Sequence, residues 1–250
     1  MNATSNPIER GVNLENFPAF SYAYQPIVDG LTREVFSYEA LIRGPQGESA
    51  KDVLDRVGGS VKYQFDQASR IAAIQLAASL GLRTHINVNI LPGSLFAADV
   101  SIDATLDAAS RCGVSIDQLI LEVTESEAIA DHTKFAGLLN VYRGMGLKVA
   151  IDDFGAGISG LNLLADFQPD QIKIDMNLVR GIEGDGPRQA IVRAIMQVCF
   201  DLGIDVIAEG IETQSEYLWF SNQGVRLFQG YLFAKPGFQQ FPSLRYAGLW

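Results

Sequence analysis

Lys148-Val-Ala-Ile-Asp-Asp-Phe-Gly-Ala-Gly157 decides how this chain is read. Val149, Ala150 and Ile151 run straight into two adjacent carboxylates, Asp152 and Asp153, and Phe154 then gives way to Gly155-Ala156-Gly157. A short apolar run bounded by turn residues predicts a strand buried on both faces. Successive strand side chains point to opposite sides. Two acids at its end therefore splay apart unless a cation draws them together. Standing alone, Asp-Asp-Phe-Gly would read as a solvated loop with Asp153 capping the next helix. The rest of the chain argues otherwise, because the arrangement recurs.

Working outward, Gly81, Gly113, Gly146, Gly203 and Gly224 each follow a helical stretch and precede an apolar residue and then a strand. A glycine just past the last turn is a helix stop. Pro169 does the same after a short helix from about Ser159 to Phe167. The strands so marked are His85–Val88, Leu119–Leu121, Val149–Ile151, Ile172–Ile174, Val206–Ala208 and Leu227–Leu232. Tyr63 to Leu80 carries Phe65, Ala68, Ala72, Leu76 and Leu80 on one helical stripe. Ser49-Ala50-Lys51-Asp52 reads as a capping box for a short helix to Val57. Upstream, Phe20–Val28 and Val35–Ile42 flank Asp29-Gly30 too closely for a helix between them, so they pair as an antiparallel hairpin. Hairpin and repeating units together predict an α/β fold, a (β/α)8 TIM-like barrel with an opening antiparallel β-hairpin.

Composition agrees. The chain has 250 residues, 48% hydrophobic and 10% aromatic, enough for one large core. Cys112 and Cys199 lie far apart without metal-ligand spacing, which predicts reduced thiols in a cytoplasmic protein. His85 and His132 are unpaired, which argues against histidine-based zinc chemistry. The apolar runs are too short for membrane insertion, and the first residues show no signal-peptide core. Residues 1–16 read as a tail or linker stub and 17–250 as the barrel. A formal charge of −10 argues against a nucleic-acid polymer as partner, though a phosphate substrate remains open if metal ions supply positive charge.

At or within the strand ends stand Glu39, Asn89, Glu122, Asp152 with Asp153, Lys173, Glu209 and Gln229. In a barrel these positions open onto one face, where catalytic residues collect. Carboxylates converging there without cations would repel. Oxygen donors suit Mg2+ or Mn2+ rather than zinc. A carboxylate such as Asp152 bridging two ions would hold them about 3.5–4 Å apart, the arrangement of two-metal phosphodiester hydrolysis. Lys173 is then either the group that orients the attacking water or a plain counter-ion to the acids.

From about Tyr22 to Pro236 the chain resembles the EAL-domain family, bacterial phosphodiesterases that linearise cyclic di-GMP. The pieces are Tyr24-Gln25-Pro26-Ile27, Glu39-Ala40-Leu41-Ile42-Arg43, Val88-Asn89, Glu122-Val123-Thr124-Glu125, Asp152-Asp153-Phe154-Gly155-Ala156-Gly157, Lys173-Ile174-Asp175, Ala208-Glu209-Gly210-Ile211-Glu212-Thr213 and Gln229-Gly230-Tyr231. The resemblance implies metal ligands at Glu39, Asn89, Glu122, Asp152, Asp153 and Glu209. It implies a catalytic role for Lys173, Glu209 and Gln229, and substrate contacts from Gln25, Leu41, Arg43 and Asp175. Thr124 and Glu125 would anchor the loop after Asp153, which borders the family's dimer interface. Implied with these are two Mg2+ or Mn2+ ions, inhibition by Ca2+, the linear product pGpG and a homodimer through the barrel face near that loop. The runner-up is a cyclic di-GMP receptor with little turnover, acting through protein partners. Two departures stand out. The loop reads Gly157-Ile158-Ser159-Gly160, and Gly44 rather than an aromatic follows Arg43. Tyr63-x-Phe65-Asp66-Gln67 is similar to EAL domains attached to blue-light-sensing BLUF modules.

Overall fold

In a computed structural model, residues 17–97, 100–124, 132–156 and 160–245 are described. The strands are β1 (Ser21–Asp29), β2 (Val35–Arg43), β3 (His85–Asn89), β4 (Leu119–Thr124), β5 (Lys148–Phe154), β6 (Gln171–Ile174), β7 (Asp205–Ala208), β8 (Leu227–Gln229) and a two-residue β9 (Gly237–Phe238). Parallel neighbours run from β2 to β8 in chain order. Strand β1 closes the barrel by pairing antiparallel with both β2 and β8, and β9 adds to its edge. The hairpin therefore supplies the closing strand, as its short connection predicts. At the floor, Asp29 accepts from Arg226 Nε at 2.8 Å, which pins β1 to the entry of β8.

The helices are α1 (Ala50–Leu54), α2 (Lys62–Ser79), α3 (Ile102–Arg111), α4 (His132–Gly144), α5 (Gly160–Asp166), α6 (Met176–Val179), α7 (Gly186–Leu202) and α8 (Gln214–Asn222). Ser49 and Asp52 form the reciprocal capping box, though α1 stops at Leu54, short of Val57. All five glycine stops adopt positive φ, from 70° at Gly203 to 103° at Gly146. The apolar residue after each bonds back five positions, as in Leu82 N to Ala77 O at 3.1 Å and Ile204 N to Cys199 O at 2.8 Å. This satisfies orphan carbonyls and turns the chain into the next strand. Among the described residues no helix is long and apolar enough to cross a membrane.

One expectation is corrected here. β8 ends at Gln229, not at Leu232. A Cβ on Gly230 would lie 2.0 Å from Ile211 O, so this backbone packs directly on the segment after β7. Leu232 N then bonds Ile211 O at 3.0 Å instead of continuing the ladder.

Two cores result. The larger lies between strands and helices and takes the outward residues, such as Leu119, Leu121, Val123, Val149 and Ile151. The smaller lies inside the barrel and joins Ile27, Ile207 and Leu227. Register and alternation stack the inward side chains in tiers, each from alternate strands. The mouth tier holds Gln25, Asn89, Asp152 and Glu209. Beneath it lie Glu39, Glu122, Lys173 and Gln229. Next come Ile27, Asn87, Ala150 and Ile207, then Ser37, Ile120, Gln171 and Leu227. The two upper tiers hold most of the residues singled out from the sequence.

Candidate active site

The acids of β5 converge because the strand does not stay regular. Its register with β6 shifts between Ile151 and Phe154, and Asp153 takes φ 55°, a left-handed conformation that costs a non-glycine residue energy. Gly155 follows at φ 95°. The bulge turns two consecutive carboxylates toward one mouth, where a regular strand would oppose them. Asp152 belongs to two groups of carboxylate oxygens lying within 4.8 Å of one another. One joins it to Glu39 and Glu122, the other to Asp153 and Glu209.

Lys173, on β6, is fully buried among these acids. Its Nζ lies 2.8 Å from Asp152 Oδ1, 3.1 Å from Glu39 Oε2, 3.4 Å from Glu122 Oε1 and 3.4 Å from Glu209 Oε2. Burial alone would favour the neutral amine, but the four carboxylates outweigh it and raise the pKa well above the ordinary lysine value. Burial pushes Glu209 up to about 8; Lys173 opposes this in part, and Asp152, Glu39 and Asp153 add to it. Glu122 is raised well above the usual carboxylate range, first by burial and then by Glu39. Burial also raises Asp153. Asp152 is lowered overall, because Lys173 overcomes its burial. One lysine thus faces five carboxylates, and among the described residues Glu122 Oε2 is buried with neither a hydrogen-bond partner nor a contact to Lys173. Buried acceptors without donors need an ion or a water. An all-oxygen, excess-negative donor set fits a hard divalent cation.

The remaining predicted residues fall around this cluster. Gln229 Nε2 donates to Glu39 Oε2 at 2.6 Å. It also reaches Gln25 Oε1 at 3.4 Å, and Gln25 Nε2 donates to Ala234 O at 3.2 Å. Asn89 ends β3 as the register partner of Glu122 and is exposed at the mouth. A cavity of about 580 Å³ runs from Glu39, Asn89, Thr124 and Asp152 past Leu41 and Arg43 to α2. That size suits a small-molecule ligand. Asp175 is buried and does not line this cavity. Its carboxylate caps α6 by accepting from Asn177 N at 3.0 Å and Asn177 Nδ2 at 2.9 Å. Glu125 and the loop residues Gly157, Ile158 and Ser159 lie outside the described residues. A larger cavity, about 720 Å³, opens at the opposite end between Asp29, Phe200, Asp205 and Arg226. It contains none of the clustered acids, so size does not select the site.

Sequence reasoning missed two features. Asp66 and Arg70 form a buried ion pair in the wall of the smaller cavity. Asp66 Oδ1 also accepts from Leu91 N at 3.2 Å, which ties α2 to the segment after Asn89. Asn87, one tier below the acids, donates its Nδ2 to Glu122 Oε1 at 2.8 Å. The alternation His85-Ile86-Asn87-Val88-Asn89 puts Asn87 on the face that carries Asn89, a signal present in the sequence.

A closed barrel with a hard-cation donor set at the mouth of its parallel strands is the class of protein these side chains define. Within that class, the chain belongs to the EAL-domain family, whose match covers residues 13–236. It is 38% identical over 225 residues to the blue light- and temperature-regulated antirepressor BluF of Escherichia coli K12, covering 89% of this chain and 56% of that protein. It is 31% identical over 231 residues to the cyclic di-GMP phosphodiesterase PA2567 of Pseudomonas aeruginosa, covering 87% and 38%. Among solved structures, a standalone versatile EAL protein of Vibrio cholerae O395 in its c-di-GMP-bound form superposes with a TM-score of 0.87 at 44% identity, covering 92% of this chain and 96% of that one. BlrP1 of Klebsiella pneumoniae, in a manganese/cy-diGMP complex, gives 0.86 at 39%, covering 98% and 59%. The chain spans 56% or less of the length of these two curated relatives.

Proposed function

We propose that this chain hydrolyses cyclic di-GMP to linear pGpG. The observation that carries the proposal is Asp152, shared by two carboxylate groups with Lys173 against it. Glu39, Asn89, Glu122, Asp152, Asp153 and Glu209 would hold two Mg2+ or Mn2+ ions. When bound, such cations neutralise charge on the phosphoryl oxygens and make water a better nucleophile. Lys173 holds the attacking water and keeps its own charge, since the acids around it favour the ammonium. Gln229 fixes Glu39 and reaches toward Gln25. Arg43 offers a guanidinium to a phosphate oxygen, with Leu41 and Gln25 lining the substrate's place and Asp175 ordering the segment after β6. One water enters, its oxygen bonds to phosphorus, one phosphorus–ribose oxygen bond breaks, and the leaving hydroxyl takes a proton. Thr124 and Glu125 anchor the loop after Asp153, through whose face a homodimer forms. Residues 1–16 act as a tail or linker to the barrel at 17–250.

Turnover of cyclic di-GMP with Mg2+ by the wild type and by Glu39→Ala tests the reading. Robust hydrolysis by the alanine variant would refute it. The antirepressor name of the relative from E. coli favours a second reading, a cyclic di-GMP receptor acting through protein partners. Tight binding with no product in either Mg2+ or Mn2+ would select that one.

A further inference from the structure

Asn87 is fully buried on the bore side of β3. Its amide holds Glu122 Oε1 at 2.8 Å, and Lys173 Nζ stands 3.4 Å from the same oxygen. Among the described residues, Glu122 Oε2 has no hydrogen-bond partner. A carboxylate only accepts, so the amide must turn its nitrogen toward Glu122 and its oxygen away. Among the described residues that oxygen, Asn87 Oδ1, has no partner either, and neither do Ser37 Oγ and Gln171 Oε1 in the tier below. Packing alone therefore gives no reason for an amide here. Leucine has a similar shape, would meet Ile27, Ala150 and Ile207 in the same tier, and would remove an unpaired buried acceptor. The amide is unfavourable for the core and useful to the acids above it.

We infer that Asn87 is a positioning residue for the cation site. By holding Oε1 it leaves Oε2 as the oxygen Glu122 offers to a cation shared with Glu39 and Asp152. The inference rests on the two-cation reading above, and it concerns how one ligand is aimed rather than which residues are ligands.

The test compares wild type and Asn87→Leu by calorimetric Mn2+ titration and by melting without metal. The expected result is that Asn87→Leu melts at or above the wild-type temperature in chelator. Its Mn2+ affinity at one of two sites falls about 10–100-fold, the usual cost of losing a group that orients a ligand. A residue with only a structural role would do the reverse, lowering the metal-free melting temperature and leaving Mn2+ affinity unchanged. That pattern, or wild-type Mn2+ affinity in a folded variant, overturns the inference. Should Asn87→Leu fail to fold, Asn87→Ser is titrated instead, with the same loss expected and unchanged affinity again decisive against it. A wild-type chain that takes up no Mn2+ fails differently: it removes the two-cation reading and this inference with it.

Discussion

Lys173 stabilises the metal-free barrel by a buried charge that its acids need. Its replacement by methionine keeps most of the length of the side chain and leaves Glu39, Glu122, Asp152 and Glu209 without their shared cation. Breaking one partner out of a buried ion pair costs about 3–5 kcal/mol. Lys173→Met should therefore melt well below wild type in chelator and regain much of the loss in Mn2+, because divalent ions replace the missing charge. Hydrolysis should not return with the stability. Equal melting of the two proteins in chelator would contradict this. Glu209 adds a pH dependence. Its folded pKa of about 8 lies above the ordinary carboxylate value near 4.5, so the folded metal-free site binds a proton the unfolded chain has released. Its contribution to stability is full below about 4.5 and is lost as pH rises through about 8. A cation competes with that proton. Mn2+ affinity should then rise from pH 6.5 to 8.5, and a flat titration would tell against Glu209 as a ligand. At this scale the sequence is legible where a polar residue ends a strand, as at Glu39, Glu122 and Glu209. It is opaque where function depends on which oxygen a neighbour occupies, as with Asn87 and Glu122 Oε1.

The elements carry the site through a few non-exchangeable joints. Glu216 opens α8 from a buried position, where its carboxylate accepts from Glu212 N at 2.9 Å, Thr213 N at 3.0 Å and Gly181 N at 3.0 Å. It ties the segment after Glu209 to the turn after α6. These bonds outweigh the penalty of burial and lower its pKa. For a depressed carboxyl, the contribution is present above the unfolded value and lost as pH falls through the folded one. Glu216→Gln keeps the shape, loses the charge and should cost about 1.5–3 kcal/mol at neutral pH in urea unfolding. The difference from wild type should shrink in acid below the ordinary glutamate value. A gap that persists there would point to packing instead. Gly230 is the sharper case, since any Cβ meets Ile211 backbone. Gly230→Ala should displace Gln229 from Glu39 and reduce hydrolysis more than it reduces Mn2+ binding. The five glycine stops were readable because helix termination is a local backbone event. The end of β8, the bulge at Asp153 and the pair at β9 were not, since each is set by contact with a distant segment.

Across the whole molecule, the order of strands and the face they share followed from short connections and from polar residues ending apolar runs. The tiers within the bore did not, because they depend on register, which no single segment contains. That register gathers five carboxylates and one lysine at the mouth, in a chain of net charge −10, and so makes the metal-free state self-repelling there. Cation binding should then show as global stability. At a free concentration a hundred times its Kd, one ion bound only by the folded state adds about 2.7 kcal/mol, or roughly 5–10 °C in melting temperature for a domain of this size. Mg2+, Mn2+ and Ca2+ should each raise the melting temperature, and a chelator should reverse all three. Turnover should separate them: Mg2+ and Mn2+ support hydrolysis, whereas Ca2+, with looser coordination, occupies the acids without it and inhibits when added to the Mn2+ form. Asp152→Asn tests whether one residue joins both groups, because it should abolish the stabilisation from every ion rather than halve it. A variant that keeps half of the shift would place the cations on independent ligand sets and dissolve the shared-carboxylate geometry. Full hydrolysis in excess Ca2+ would show that tight coordination is not what the chemistry requires.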